Sequence, residues 1–328
     1  MSTVYFRFPA RAPVSLQRAP LLEHVLARAD AAACVTDWRA EAFHTLAPEA
    51  AMPPIATAAL RASSAKVVGT WVLVATPVHF VAGMSSVSMA ADGILDLEQS
   101  EADALAADFN RAFAGAGMRL ERGRECLLLC IFDTPLRVAT TAPEQILGED
   151  IWGCLPRGAD EGRLRQLMSE IEMWLFEHAV NEHRRARAAP PISGLWLWGG
   201  GATDISLPAV SGWTAGNDPL FTALGAHSHH SAAEGPGAPG PDALRPDAAG
   251  PGVVVLADWP GTAAWSQAEQ LWLLPALADL RGGRLTRLDL SAGDRCFSVS
   301  ARGRWRFWRR PRPWWESFRM GGEFDERD

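Results

Sequence analysis

Residues 160–201 read DEGRLRQLMSEIEMWLFEHAVNEHRRARAAPPISGLWLWGGG. Leu164, Leu167, Met168, Ile171 and Leu175 recur at helical spacing, which predicts one long helix over 160–188. Its far end turns polar, with Asn181, Glu182, His183, Arg184, Arg185 and Arg187, and Pro190-Pro191 stops it. Leu195-Trp196-Leu197-Trp198 then reads as a strand that runs into Gly199-Gly200-Gly201. The same alternation recurs along the chain. Strands alternating with helices predict an α/β fold.

On the N-terminal side, Val4–Phe8 is a short strand. A helix follows with Leu21, Leu22, Val25 and Leu26 on one face. More helix is expected after Trp38, broken by Pro48 and by Pro53-Pro54. Val67–Ala75 is a buried strand by length and β-branching. Thr76-Pro77-Val78-His79-Phe80 opens the next piece, and Asp92-Gly93 predicts a tight hairpin turn. Ser100 and Asp103 resemble a capping box for a helix with Leu105, Phe109 and Phe113 on one face, ended by Gly115 and Gly117. Cys126–Phe132 is a further buried strand. Residues 226–252, rich in Gly, Pro and Ala, read as a flexible linker. Beyond them come a strand at Val253–Ala257, a helix around Ala263–Leu280, strands near Leu285–Leu290 and Cys296–Trp308, and a charged tail over Glu323–Asp328. No internal repeat of 20–50 residues is present.

Of the 328 residues, 48% are hydrophobic and 21% charged, enough for a real core and for more than one compact unit. The balance of 31 basic and 38 acidic residues gives a net charge of -7, which sets bulk nucleic-acid binding aside. No apolar run approaches the roughly 18 residues of a bilayer span, and the N-terminus lacks a signal-peptide core. Five cysteines are an odd number for a disulfide framework. The expectation is a cytoplasmic protein with neither a membrane nor a nucleic-acid partner. Trp outnumbers Tyr by 14 to one, and Lys66 is the single lysine.

Several groups bear on chemistry. The glycine triplet offers backbone N–H groups to an anion, but it lacks GxGxxG spacing and no GK[ST] follows, so a turn or close-approach reading weighs more. Asn181 and Arg184 share a helix face, and arginine forks suit carboxylate or phosphate; a solvated helix end is the plainer reading. His178 and His183 are five apart, which is not zinc-pair spacing, and no HExxH occurs. Cys126 and Cys130 sit in an apolar strand as buried thiols. No GxSxG marks a serine nucleophile, and Glu170, Glu172 and Glu177 spread around their helix. Residues 302–315, RGRWRFWRRPRPWW, interleave six arginines with four tryptophans. Arg304 and Arg306 alternate with Trp305 and Phe307, the period of a half-buried strand with its basic side in water.

Glu170-Ile171-Glu172-Met173, His178 through Arg184, Pro191 and the Leu195–Gly201 block together resemble a proteobacterial family. That family is described both as a pathogenicity-factor type regulatory protein and as cofactor-independent phosphoglycerate mutase-like. Pro77-Val78-His79, Leu105, Phe109 and Asn110, Leu155-Pro156, and Trp305 through Pro311 fit it in the same order. Thr76 stands where the family has Asp, and Ser193-Gly194 where it has Asn-Ser. More distantly, the chain resembles archaeal-type phosphoglycerate mutases of the alkaline-phosphatase superfamily. The resemblance implies a mutase-like core from residues 1–70 and 206–328, with an inserted, smaller α/β substrate domain over 71–205. It implies ligand contacts at His79, Asn181, Arg184, Trp198, Gly199, Gly200 and Gly201, with Arg184 taking an acid group of a phosphorylated or carboxylate metabolite. Such enzymes use two manganese or similar ions on Asp and His ligands and a Ser nucleophile.

The matching equipment is missing here. Phe6-Arg7-Phe8-Pro9 stands where an Asp-Gly is expected, no nucleophile segment follows the first helix, and Val255–Trp259 lacks the ligand series. The expectation is therefore a catalytically degenerate relative with a regulatory or ligand-sensing role, no catalytic residue and no metal. One alternative is an active phosphotransferase using Mn or Zn on relocated ligands such as Asp258. Another is a module that engages a protein partner through its Trp/Arg-rich C-terminus.

Overall fold

The computed structural model describes residues 2–8, 18–32, 37–63, 69–84, 86–216, 218–227, 250–256, 269–301 and 308–318. In chain order, the first segment carries β1 (Thr3–Phe8), α1 (Pro20–Arg28), β2 (Asp30–Ala32) and α2 (Trp38–Leu46). The middle carries α3 (Ile55–Ala62), β3 (Trp71–Ala82), β4 (Val87–Ile94), α4 (Gln99–Ala112), β5 (Met118–Arg122), β6 (Leu128–Phe132), β7 (Val138–Ala139), β8 (Arg157–Gly158), α5 (Glu161–Phe176), α6 (Ala179–Ala186) and β9 (Gly194–Ala202). The last part carries β10 (Trp213–Gly216), α7 (Pro219–His227), β11 (Gly252–Val255), a helix at Leu274–Arg281, β12 (Arg287–Ala292), β13 (Arg295–Ser300) and a short helix at Trp314–Phe318. The protein is mixed α/β. It divides into a discontinuous unit, Met1–Met52 with Pro208–Asp328, and an inserted unit, Pro53–Leu207. The cut falls at Pro53, ahead of position 71, because α3 packs on β3 and β9.

The discontinuous unit has a six-stranded sheet in the order β10-β11-β1-β12-β13-β2. The first four strands are parallel; β13 and β2 join antiparallel. Period-2 alternation separates its faces. Val4, Phe6 and Phe8 join Leu288, Leu290 and Ala292 in an apolar core with Leu22, Val25, Leu277, Trp314 and Phe318. Each fully buried side chain of this size contributes about 1.5–3 kcal/mol. Tyr5, Arg7, Asp289 and Ser291 occupy the intervening positions and are also buried.

The inserted unit is built on β3. Along one edge β3 pairs with β9; along the other it pairs first with β6 through Val74 and then with β4 from Val78. Pro77 sits where the second edge changes partner, and its carbonyl accepts from Leu95 N on that edge. The missing proline N–H falls in the gap, so the strand continues through Pro77 instead of ending before it.

Several expectations change. Asp92-Gly93 lies inside β4, in an irregularity where the register slips between Val78 and Phe80. The β3–β4 turn is closed instead by Gly83 N donating to Ser86 O. A Cβ on Gly93 would meet the Ala90 and His79 carbonyl oxygens at 2.8 Å, which is why glycine stands there. The capping box is Glu98 with Glu101, two residues before the expected Ser100 and Asp103. Glu125 and Cys126 adopt positive φ in the β5–β6 connection, so β6 starts at Leu128. The long helix breaks at Glu177–His178 into α5 and α6. The glycine triplet belongs to β9, not to a turn after it. Most of the expected linker, the start of the 263–280 helix, residues 302–307 and the charged tail lie outside the described residues.

Candidate functional site

His178 makes the corner between α5 and α6. Its Nδ1 accepts from Val180 N at 3.2 Å and caps α6, and its ring packs edge-on to Trp174 at 4.6 Å. Its Nε2 lies 3.2 Å from Asp108 Oδ2 on α4. This cap aims α6 so that Asn181 and Arg184 face inward, and both are buried. His183, with Glu182 and Arg185, stays on the exposed side.

Asn181 Nδ2 donates to Leu175 O at 2.8 Å and Ile192 O at 2.9 Å, while its Oδ1 accepts from Ile192 N at 2.7 Å. Arg184 Nε donates to Pro190 O at 2.8 Å. Its Nη1 pairs with Glu101 Oε2 at 2.8 Å and reaches Asp96 O at 3.3 Å. His79 Nδ1 lies 3.0 Å from Pro191 O and 3.2 Å from Ser193 Oγ. A carbonyl only accepts, so this contact places the proton on Nδ1 in the neutral ring. Three side chains expected to face a ligand thus converge on one segment of the chain itself, residues 190–193, which leads into β9.

Glu101 gathers further partners. Its Oε2 accepts from Glu98 N at 2.9 Å, closing the capping box of α4. Arg187 Nη2 pairs with its Oε1 at 2.6 Å, and Arg187 also pairs with Glu98. A carboxylate this buried is compensated by two guanidinium groups.

Trp198 Nε1 donates to Thr76 Oγ1 at 2.8 Å, which gives Thr76 a defined task. Ser193 Oγ accepts from Phe80 N at 3.0 Å, and a Cβ on Gly194 would stand 3.1 Å from the Phe80 ring. The glycines are packing residues. A Cβ on Gly200 would fall 2.5 Å from Leu73 Cδ2, and one on Gly201 2.4 Å from Pro54. Gly199, at φ +65, sits where β9 carries an extra residue against β3, and its N donates to Thr140 Oγ1. The backbone approach that the triplet permits is used by α3 and by β3.

A separate cavity of about 170 Å³ lies between α5 and the β5–β6 pair, lined by Met118, Phe132, Leu164 and Leu167 with Arg163 and Glu170 near them. In the inserted unit, burial raises Glu172, Cys130 and Cys154.

The metal centre implied by the resemblance would lie at the strand ends of the discontinuous unit. There β1 presents Arg7, which donates to Gly293 O at 3.1 Å and Ser291 Oγ at 3.5 Å. Among the described residues, no three His, Cys, Asp or Glu side chains group to hold a metal ion. Asp258 lies outside the described residues. A guanidinium at this place does not fit a divalent cation, so no step is derived through one. Arg7 was legible as a departure from pattern. Nothing in the sequence marked Trp38, Arg39 or Asp218, which the fold brings beside it. No helix among the described residues is long and apolar enough to cross a membrane.

No family model matches the chain. Among solved structures, it is similar to a cofactor-independent phosphoglycerate mutase from Thermoplasma acidophilum, with 14% identity, a TM-score of 0.38 and coverage of 91% of this chain and 89% of that one. It is also similar to the PH0037 protein from Pyrococcus horikoshii, with 11% identity, a TM-score of 0.44 and coverage of 91% and 87%. In sequence it is 39% identical over 61 residues to a 2,3-bisphosphoglycerate-independent phosphoglycerate mutase of Methanothrix thermoacetophila, 19% of this chain and 16% of that protein. It is 31% identical over 107 residues to phosphoglycerate mutase 2 of this type from Methanothermobacter thermautotrophicus, 31% of this chain and 27% of that protein. The chain thus spans well under half the length of these curated relatives, and over those stretches it is distantly homologous to the archaeal-type cofactor-independent phosphoglycerate mutases.

Proposed function

We propose that the chain is a catalytically degenerate phosphoglycerate mutase-like protein with a regulatory or ligand-sensing role. One observation carries this reading. His79, Asn181 and Arg184, the side chains that the resemblance would give to a substrate, are spent on residues 190–193 of the chain. A guanidinium that already holds a buried carboxylate would have to abandon it to take a substrate's acid group. That leaves Glu101 paired through Arg187 alone and costs several kcal/mol. The cationic Arg7 at the strand end points the same way, since phosphoryl transfer needs concentrated positive charge on metal ions or their equivalents beside a nucleophile.

The test is conversion of 3-phosphoglycerate to 2-phosphoglycerate, followed by ³¹P NMR with Mn²⁺ or Zn²⁺ added to metal-stripped protein. The expected result is no conversion above the protein-free control. Turnover at an ordinary enzymatic rate, about 1 s⁻¹ or more, overturns the reading.

A further inference from the structure

We propose that the inserted unit binds an α-amino acid with a branched or aromatic apolar side chain, in the cavity between α5 and the β5–β6 pair. Arg163 takes its carboxylate, and Glu170 with Gln166 takes its ammonium group. The cavity shares no residue with the clamp on residues 190–193. The site goes beyond the degenerate-mutase reading and does not rest on it.

The cavity holds about 170 Å³. Its floor is apolar. Phe132 from β6, Leu164 and Leu167 from α5, and Leu136 are buried, and Met118 from β5 is half-buried. Ala116, in the turn ahead of β5, adds only an exposed methyl to the lining. A void lined this way lacks packing partners on one side, and an apolar cavity of about 150 Å³ already takes up benzene. A benzene ring or a branched alkyl group of similar size fits the space.

The polar side of the cavity belongs to one helix face. Arg163, Gln166 and Glu170 follow at i, i+3 and i+7 on α5 and line the same space. Arg163 Nη1 donates to Thr134 Oγ1 at 3.3 Å, its one hydrogen bond among the described residues. The charge of Arg163 also reaches Asp160. That carboxylate is held by Arg137, through its backbone N at 2.8 Å and its Nε at 3.5 Å. Most of the Arg163 fork is therefore available to a carboxylate. Gln166 Nε2 donates to Glu170 Oε1 at 2.9 Å. This contact leaves Gln166 Oε1 and Glu170 Oε2 as a pair of acceptors, which suits an ammonium group with its three donors. The two opposite charges select the ligand. A simple acid would meet Glu170 as well as Arg163, and a simple amine would meet Arg163 as well as Glu170. An α-amino acid carries both charges on one carbon. Hydrogen-bonded at each, it spans roughly 8 Å between protein groups, within reach of two long side chains about 10 Å apart along the helix.

NMR of the full chain with ¹³C-labelled Met and Leu methyl groups, titrated with L-leucine and with L-phenylalanine, tests this. The methyl signals of Met118 and Leu167 are expected to shift saturably, with half-saturation at millimolar concentration or below. 4-Methylpentanoate lacks leucine's ammonium group, and 3-methylbutylamine lacks its carboxylate. Each should bind about tenfold more weakly than leucine. Arg163→Gln should weaken leucine about tenfold and leave 3-methylbutylamine no weaker. Glu170→Gln should weaken leucine similarly and leave 4-methylpentanoate no weaker. No saturable shift with either amino acid overturns the proposal. Equal binding of leucine and both analogues also overturns it, since an apolar cavity alone would do that. So does undiminished leucine binding in either variant. Mutase turnover would sink the proposed function and leave this site standing; a lack of amino-acid binding would do the reverse.

Discussion

Arg184 ties three elements together: the N-terminus of α4 through Glu101, the segment entering β9 through Pro190 O, and α6 itself. Truncation should therefore read as lost stability. Arg184→Ala is expected to cost about 3 kcal/mol in urea unfolding, toward the low end for a broken buried pair because Arg187 still holds Glu101. A cost under about 0.5 kcal/mol, the range of an ordinary surface change, would free Arg184 for a ligand. The glycines divide in the same way. Gly201→Ala drives a methyl into Pro54 and should cost about 2 kcal/mol. Gly162→Ala, in the first turn of α5 with nothing near its added methyl, should instead gain up to about 1 kcal/mol. Equal effects of the two in the same unfolding assay would contradict close packing of β9. Spacing made Asn181 and Arg184 legible as sharing one helix face but not as buried, since a polar helix end reads more plainly as solvated. Their task was not legible, because what they hold are backbone carbonyls and one carboxylate 83 positions away.

Elements show the same limit. Helical spacing found α5 and α6 but not the break between them, since an N-capping histidine is not marked by periodicity. β-branching found the first half of β3, and Pro77 hid the second half, because an edge that changes partner is a tertiary event. The face of the discontinuous sheet opposite its apolar core carries a further consequence. Burial raises Asp289, against the pull of Arg287 and Ser298, and burial followed by the charge of Asp289 raises Glu41. A carboxyl group raised in the native state binds protons there more tightly than in the unfolded chain. Its favourable contribution is complete below the unfolded value near 4 and is lost as pH climbs through the raised native value. Asp289→Asn removes the titration. The Tm of the variant minus that of the wild type should therefore be larger at pH 7.5 than at pH 4.5. A difference that is flat, or that grows toward acid, would contradict burial as the cause.

At the scale of the molecule, the two units differ in how the chain supplies them. Pro53–Leu207 is contiguous and holds all strands of its own sheet, so this segment expressed alone should unfold cooperatively. The other unit closes only when β1 meets β11 and β12 from the far end of the sequence. Its apolar core also needs the last helix, in which Trp314 is fully buried and Phe318 packs against Phe8 and Phe297. Trp314→Ala should cost about 3–5 kcal/mol. Deleting residues 302–328 removes both aromatic rings and should unfold the discontinuous unit, while the circular-dichroism signal and the cooperative melt of the inserted unit persist. If the shortened chain keeps both transitions, the aromatic helix is dispensable to the core and the tryptophan- and arginine-rich end becomes free to serve a partner. If one transition disappears, Trp314 and Phe318 are needed to seal a sheet whose strands come from both ends of the chain.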